Sequence, residues 1–110
     1  MARFVKGDVV VVPFPFSDLS RAKRRPALVV AELEGDDRIL CQITSQQLHD
    51  KYSIVLRDVD FESGGLRRES RIRPNRLFTA DTRLILYRAG HLKPEKLQEV
   101  IERIIDILRV

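Results

Sequence analysis

The sequence predicts a mainly β domain with one helix: a small barrel or rolled sheet against which an amphipathic C-terminal helix packs. Three observations predict it. Val9–Val12 is an uninterrupted β-branched run of the kind that fills a strand buried on both faces. Several further strand-length apolar runs follow at close spacing, separated by turn-forming residues. After Pro94 the apolar period changes from strand-like to helical.

Gly7-Asp8 is a turn signal that opens the first strand at Val9–Val12. Pro13 and Pro15 then alternate with Phe14 and Phe16, which keeps the chain extended while removing ladder donors, as at an edge or a strand exit. Ser17 to Arg24 lacks apolar periodicity and is expected to be a mobile basic loop. Ala27 to Ala31 is the second strand, and Glu34-Gly35-Asp36-Asp37 is a hairpin turn into Arg38–Thr44. Within that third strand Ile39, Cys41 and Ile43 face one way, and Leu40, Gln42 and Thr44 the other. A strand at Ser53–Arg57, a loop through Gly64-Gly65 and a short strand at Ser70–Arg73 come next, with more β-prone material at Leu77, Phe78 and Leu84–Tyr87. From Pro94 onward, Leu97, Val100, Ile101, Ile104, Ile105 and Leu108 recur at intervals of three and four, a stripe expected to be core. Pro94 suits the first helical turn, and Glu95 sets negative charge at the positive end of the helix dipole.

With 110 residues, 44% of them hydrophobic and 33% charged, the composition is that of one globular domain over residues 1–110. No run approaches the roughly 20 apolar residues of a membrane span, and Pro13 breaks the first apolar run before it could serve as a signal core. A single cysteine, Cys41, forms no internal disulfide. The expected location is the cytoplasm, with no membrane partner.

The formal charge is +4, and its distribution says more than its total. Arg21, Lys23, Arg24 and Arg25 form one cluster, and Arg67, Arg68, Arg71, Arg73 and Arg76 another; together they hold nine of the 20 basic residues. Brought together by the fold, they would make a phosphate-binding surface. Glycine-rich phosphate loops, cysteine pairs and histidines at metal-ligand spacing are absent, so neither a metal nor another cofactor is expected. What remains is arginine and hydroxyl chemistry. Attack of a ribose 2′-hydroxyl on its own phosphate requires the phosphorane charge to be offset, and an arginine supplies a fixed fork of donors for it. Arg25-Pro26 and Thr44-Ser45 at a strand end are the candidates. Phe14 and Phe16 are aromatics that could stack bases, although packing is the expected fate of at least one.

Four segments in order, Gly7-Asp8-Val9-Val10-Val11-Val12-Pro13-Phe14, Arg25-Pro26-Ala27-Leu28-Val29-Val30, Cys41-Gln42-Ile43-Thr44-Ser45-Gln46 and Gly90-His91-Leu92-Lys93-Pro94-Glu95-Lys96-Leu97, resemble the PemK/MazF family of toxin endoribonucleases. The resemblance implies an SH3-like β-barrel, a homodimer with its RNA groove across the subunit interface, and a cognate antitoxin as partner. It implies metal-free cleavage of single-stranded RNA to 2′,3′-cyclic phosphate and 5′-hydroxyl ends. By the same resemblance Arg25, Thr44 and Ser45 are the catalytic residues; Arg21, Lys23, Arg24, Arg71, Arg73 and Arg76 of the basic clusters, with Phe16, are the expected RNA contacts. One departure matters: where some relatives carry Arg-x-Asp, with the Asp as base, this chain reads Arg71-Ile72-Arg73. Proton abstraction is then left to Arg25 with Thr44, or to another group such as Asp8, Asp18 or water. The alternative reading is a non-catalytic barrel of the same shape that binds nucleic acid or protein through its basic surface.

Overall fold

The computed structural model describes residues 3–15 and 22–110. Seven strands, β1 (Asp8–Pro15), β2 (Ala22–Glu32), β3 (Asp37–Thr44), β4 (Ile54–Leu56), β5 (Phe61–Gly64), β6 (Ser70–Asp81) and β7 (Tyr87–Leu92), precede one helix, α1 (Pro94–Arg109). The strands form one antiparallel sheet in the order β4-β6-β3-β2-β1-β7-β5. The sheet curls into a half-barrel nearly equal in all directions, 32 × 31 × 31 Å.

Alternation in the strands builds two cores. One face carries Val9, Leu28, Cys41, Ile43, Ile72 and Leu92, sealed by Val100 and Ile104 of α1 with Leu97 and Ile101 packed beside them. The other carries Val10, Val12, Ala27, Val29 and Leu40, covered by Ala80 and Ile85 and by partly buried Phe4, Phe14 and Phe78. The expected division of β3 into two faces holds, and so does the helix from Pro94. The helical stripe is wider than what the sheet covers: Ile105 is 37% and Leu108 72% exposed, because the last turns run past the sheet.

Three elements differ from expectation. Lys23 and Arg24 are strand residues, not loop: they pair with Phe14 and Pro13, so the β1–β2 arm extends well past the apolar run. Hairpin hydrogen bonds hold the arm even where its β2 residues, Lys23 and Arg24, carry no apolar side chain. Beyond Val11, β1 pairs only with β2, which explains how Pro13 and Pro15 are tolerated there. Ser70–Arg73 and Leu77–Phe78 are one strand, β6, whose register against β3 jumps from Arg73 to Leu77 at a bulge containing buried Pro74. The loop expected before Gly64 contains β5, paired with β7. Leu84 closes a single 3-10 turn, Thr82–Leu84, and Ile85 and Leu86 lead from it into β7.

Two charges are buried in this frame. The fully buried Asp8 carboxylate accepts the Val5 N–H at 2.9 Å, lies 2.7 Å from His91 Nδ1 and lies 3.6 Å from Arg88. It ties the entry of β1 to β7. Arg38 donates to the carbonyls of Phe4, Gly35 and Asp37. Cys41 is fully buried, and burial pushes its thiol up to about 12. The native chain should therefore resist a thiol-alkylating reagent at pH 8.5 and react once unfolded in urea; rapid native labelling, followed by mass spectrometry, would contradict this packing. Because the folded value is raised, this contribution to stability is complete below the ordinary thiol range and is lost as pH climbs from about 9 toward 12.

Candidate nucleic-acid interface

The sheet register assembles the site. On β1, Val12 pairs with Arg25, and Val12 belongs to the core on the face opposite α1, so Arg25 projects on that face. Two residues on, Ala27 pairs with Gln42 of β3, and Gln42 pairs with Arg73 of β6. Thr44, two residues past Gln42, pairs with Arg71. Side chains at every second position share a face, so Arg25, Gln42, Thr44, Arg71 and Arg73 come from three adjacent strands to one surface. The β1–β2 arm bends over it: Phe14 meets Phe78 of β6 edge to face, with ring centroids 4.9 Å apart. Phe14 is thus a packing residue of the second core.

Arg25 is half-buried, and the Arg71 and Arg73 side chains are only 18% and 19% exposed. They are therefore not the freely solvated charges of an ordinary polar strand face. Each of the β6 arginines leans on one acid: Arg71 lies 3.7 Å from Glu69, and Arg73 lies 3.9 Å from Asp50. These contacts are long and leave most of the five guanidinium donors unspent; Arg73 Nε is buried with no hydrogen-bond partner among the described residues. Asp50 accepts the backbone N–H groups of Ser53 at 2.8 Å and Tyr52 at 3.0 Å. The Ser53 bond leads in holding its carboxyl below the usual range, with Arg73 adding to it.

Thr44 is 8% exposed, and its Oγ1 accepts the Gln46 N–H at 3.2 Å. That bond uses one lone pair of the oxygen and leaves the hydroxyl proton available as a donor. Ser45 is exposed just past the strand end. Lys23 and Arg24 are exposed on the arm, and Arg24 alternates to the side opposite Arg25. Arg76 is exposed in the β6 bulge. Arg21 and Phe16, and Asp18 among the possible bases, lie outside the described residues.

Asp8 does not join this group. It is fully buried and engaged with His91, and four strand residues, about 13 Å, separate it from Val12. Gln42 and Asp50 do join the site, although the sequence reading assigned them no role. Strand alternation already put Gln42 beside Thr44, whereas nothing in the local pattern marks Asp50. A groove of about 300 Å³ between β4 and α1, lined by Ser53, Arg57, Lys96, Glu99 and Arg103, lies apart and holds none of these groups. Among the described residues no three His, Cys, Asp or Glu side chains gather as a metal site, and no helix is long and apolar enough to cross a membrane.

A family model described as PemK-like, MazF-like toxin of type II toxin-antitoxin system matches residues 5–108. No functionally curated protein matches the sequence. Among solved structures, MazF from Deinococcus radiodurans superposes with a TM-score of 0.76 at 19% identity, covering 100% of both chains. An endoribonuclease in complex with its cognate antitoxin, from a mycobacterial species, gives 0.75 at 12% identity, covering 100% of this chain and 97% of that one. The MazE-MazF complex of Deinococcus radiodurans gives 0.76 at 18%, covering 97% of each chain. At these identities the superpositions establish the shared fold.

Proposed function

Since the chain belongs to the PemK-like, MazF-like toxins of type II toxin-antitoxin systems, a family of endoribonucleases, we propose that it cuts single-stranded RNA on the arginine-rich sheet face, without a metal. The observation that carries this reading is the register that sets Arg25, Thr44, Arg71 and Arg73 on one surface of β2, β3 and β6. The ribose 2′-oxygen attacks the adjacent phosphorus and loses its proton to water. The bond to the 5′-oxygen breaks, and that oxygen takes a proton from water as it leaves. The products are a 2′,3′-cyclic phosphate and a 5′-hydroxyl. Arg25 offsets the charge that grows on the phosphorane. The Thr44 hydroxyl donates a hydrogen bond to a non-bridging oxygen, with Ser45 as its neighbouring hydroxyl, while Arg71 and Arg73 hold the flanking backbone. Lys23 and Arg76 extend the RNA track, whereas Arg24 faces away from it.

On this reading the protein acts as a homodimer with the RNA groove across its interface, and a cognate antitoxin occludes that groove. Two of the structural relatives are complexes, one of an endoribonuclease with its cognate antitoxin and one of MazE with MazF. The test is incubation of the purified protein with mixed single-stranded RNA in excess EDTA, with sequencing and chemical mapping of the new ends. Cleavage to cyclic phosphate ends is expected. Activity that vanishes in EDTA and returns with a divalent cation would overturn the metal-free mechanism. Salt-dependent binding with no new ends would point instead to a non-catalytic nucleic-acid-binding barrel.

A further inference from the structure

Gln42 occupies the middle of the proposed site and is unspent. It lies between Ala27 and Arg73 in the sheet register and one two-residue step, about 7 Å, from Thr44. Ala27 is fully buried and offers only a methyl group. Arg73 is donor-only, so it has nothing to accept the amide N–H groups, and its guanidinium is directed to Asp50. The Gln42 side chain makes no hydrogen bond to any described residue, although it is half-buried. Its amide is not among the buried polar atoms that lack a partner, so the group reaches solvent at the open face of the site and is available to a ligand.

We propose that Gln42 determines sequence preference: its amide reads the base flanking the cleaved phosphate and selects adenine. This rests on the ribonuclease reading above. Phosphate contacts from Arg25, Arg71 and Arg73 fix register but carry no sequence information. An amide presents one donor and one acceptor side by side, which matches the N6 amino group and N7 of adenine; guanine shows two acceptors on that edge and suits arginine instead. In single-stranded RNA the bases are unstacked and open to such contacts.

The test is digestion of a randomised single-stranded RNA pool by wild type, Gln42→Met and Gln42→Glu, with sequencing of the cut sites and a thermal melt of each protein. Wild type should favour adenine beside the cut. Gln42→Met, which keeps the side-chain volume, should reduce the ratio of adenine to other bases at that position at least about fivefold. Gln42→Glu should shift the preference toward cytosine, whose N4 amino group a carboxylate accepts. The ratio is internal to each digest, so a general loss of rate does not imitate the effect. A wild-type preference for another base, or an unchanged profile in both variants, overturns the inference while leaving the ribonuclease intact. Absence of cleavage by folded wild-type protein overturns the ribonuclease reading itself.

Discussion

Arg25→Ala should lower kcat for RNA cleavage by about 10²–10³-fold, the range found when one donor to a developing oxyanion is removed, while the protein melts within a few degrees of wild type. Arg25 sits in a strand arm, half-buried, on the face that holds Thr44 and Arg71. Its guanidinium is the planar fork that a phosphorane with two equatorial oxygens requires. An interaction strengthened only in the transition state should reduce kcat and kcat/KM together, with KM little changed. Arg25→Lys keeps the charge but loses the fork, and should recover only a small part of the rate. Single-turnover assays on one labelled RNA would read this directly. Residual activity within tenfold of wild type in Arg25→Ala would remove Arg25 from the chemistry.

The largest effect on stability is expected at Gly64. It closes β5 with φ +68°, and an added Cβ would stand 2.2 Å from the Ala89 carbonyl oxygen and 2.6 Å from Gly90 Cα. Both atoms are backbone of β7 and cannot swing aside. Gly64→Ala therefore combines the left-handed penalty, about 1–2 kcal/mol, with overpacking of about 1–3 kcal/mol. At about 4–8 °C per kcal/mol for a domain of this size, the melting temperature should fall by roughly 8 °C or more. Gly35→Ala is the control. It shares the positive φ, +74°, but nothing lies within 4 Å of the added methyl, so only the first penalty applies. Equal losses for the two variants in thermal melts would show that β5 does not approach β7 so closely.

The elements that could be read from sequence are those whose pattern is local. The period of Leu97, Val100, Ile101 and Ile104 marks the helix, and the alternation of Ile39 through Thr44 marks both faces of β3. β5 escaped because Phe61 is the only apolar residue in Phe61–Gly64, and its pairing depends on backbone approach at Gly64 and Gly90 rather than on side chains. Lys23 and Arg24 read as loop because a strand in an exposed arm has no apolar face to announce it. β6 read as two pieces because Pro74 interrupts a strand that a bulge carries through. At the site, Arg25 and Thr44 were legible as residues, but their meeting was not. Which strands flank β3 is a long-range choice, and only that choice delivers Arg71 and Arg73 to Thr44 and Gln42.

The outer neighbour of β1 is β7, and the core beneath it is sealed by Val100 and Ile104. β1, made before the other six described strands, therefore waits for β7 and the helix before its second ladder and its apolar face are satisfied. Until residues up to Ile104 have left the ribosome, β1 has an open edge and the sheet an uncovered face. The frame that aims Arg25 is thus completed only after β7 and α1 have been made, so a cell making this chain should meet no organised arginine cluster on nascent chains shorter than that.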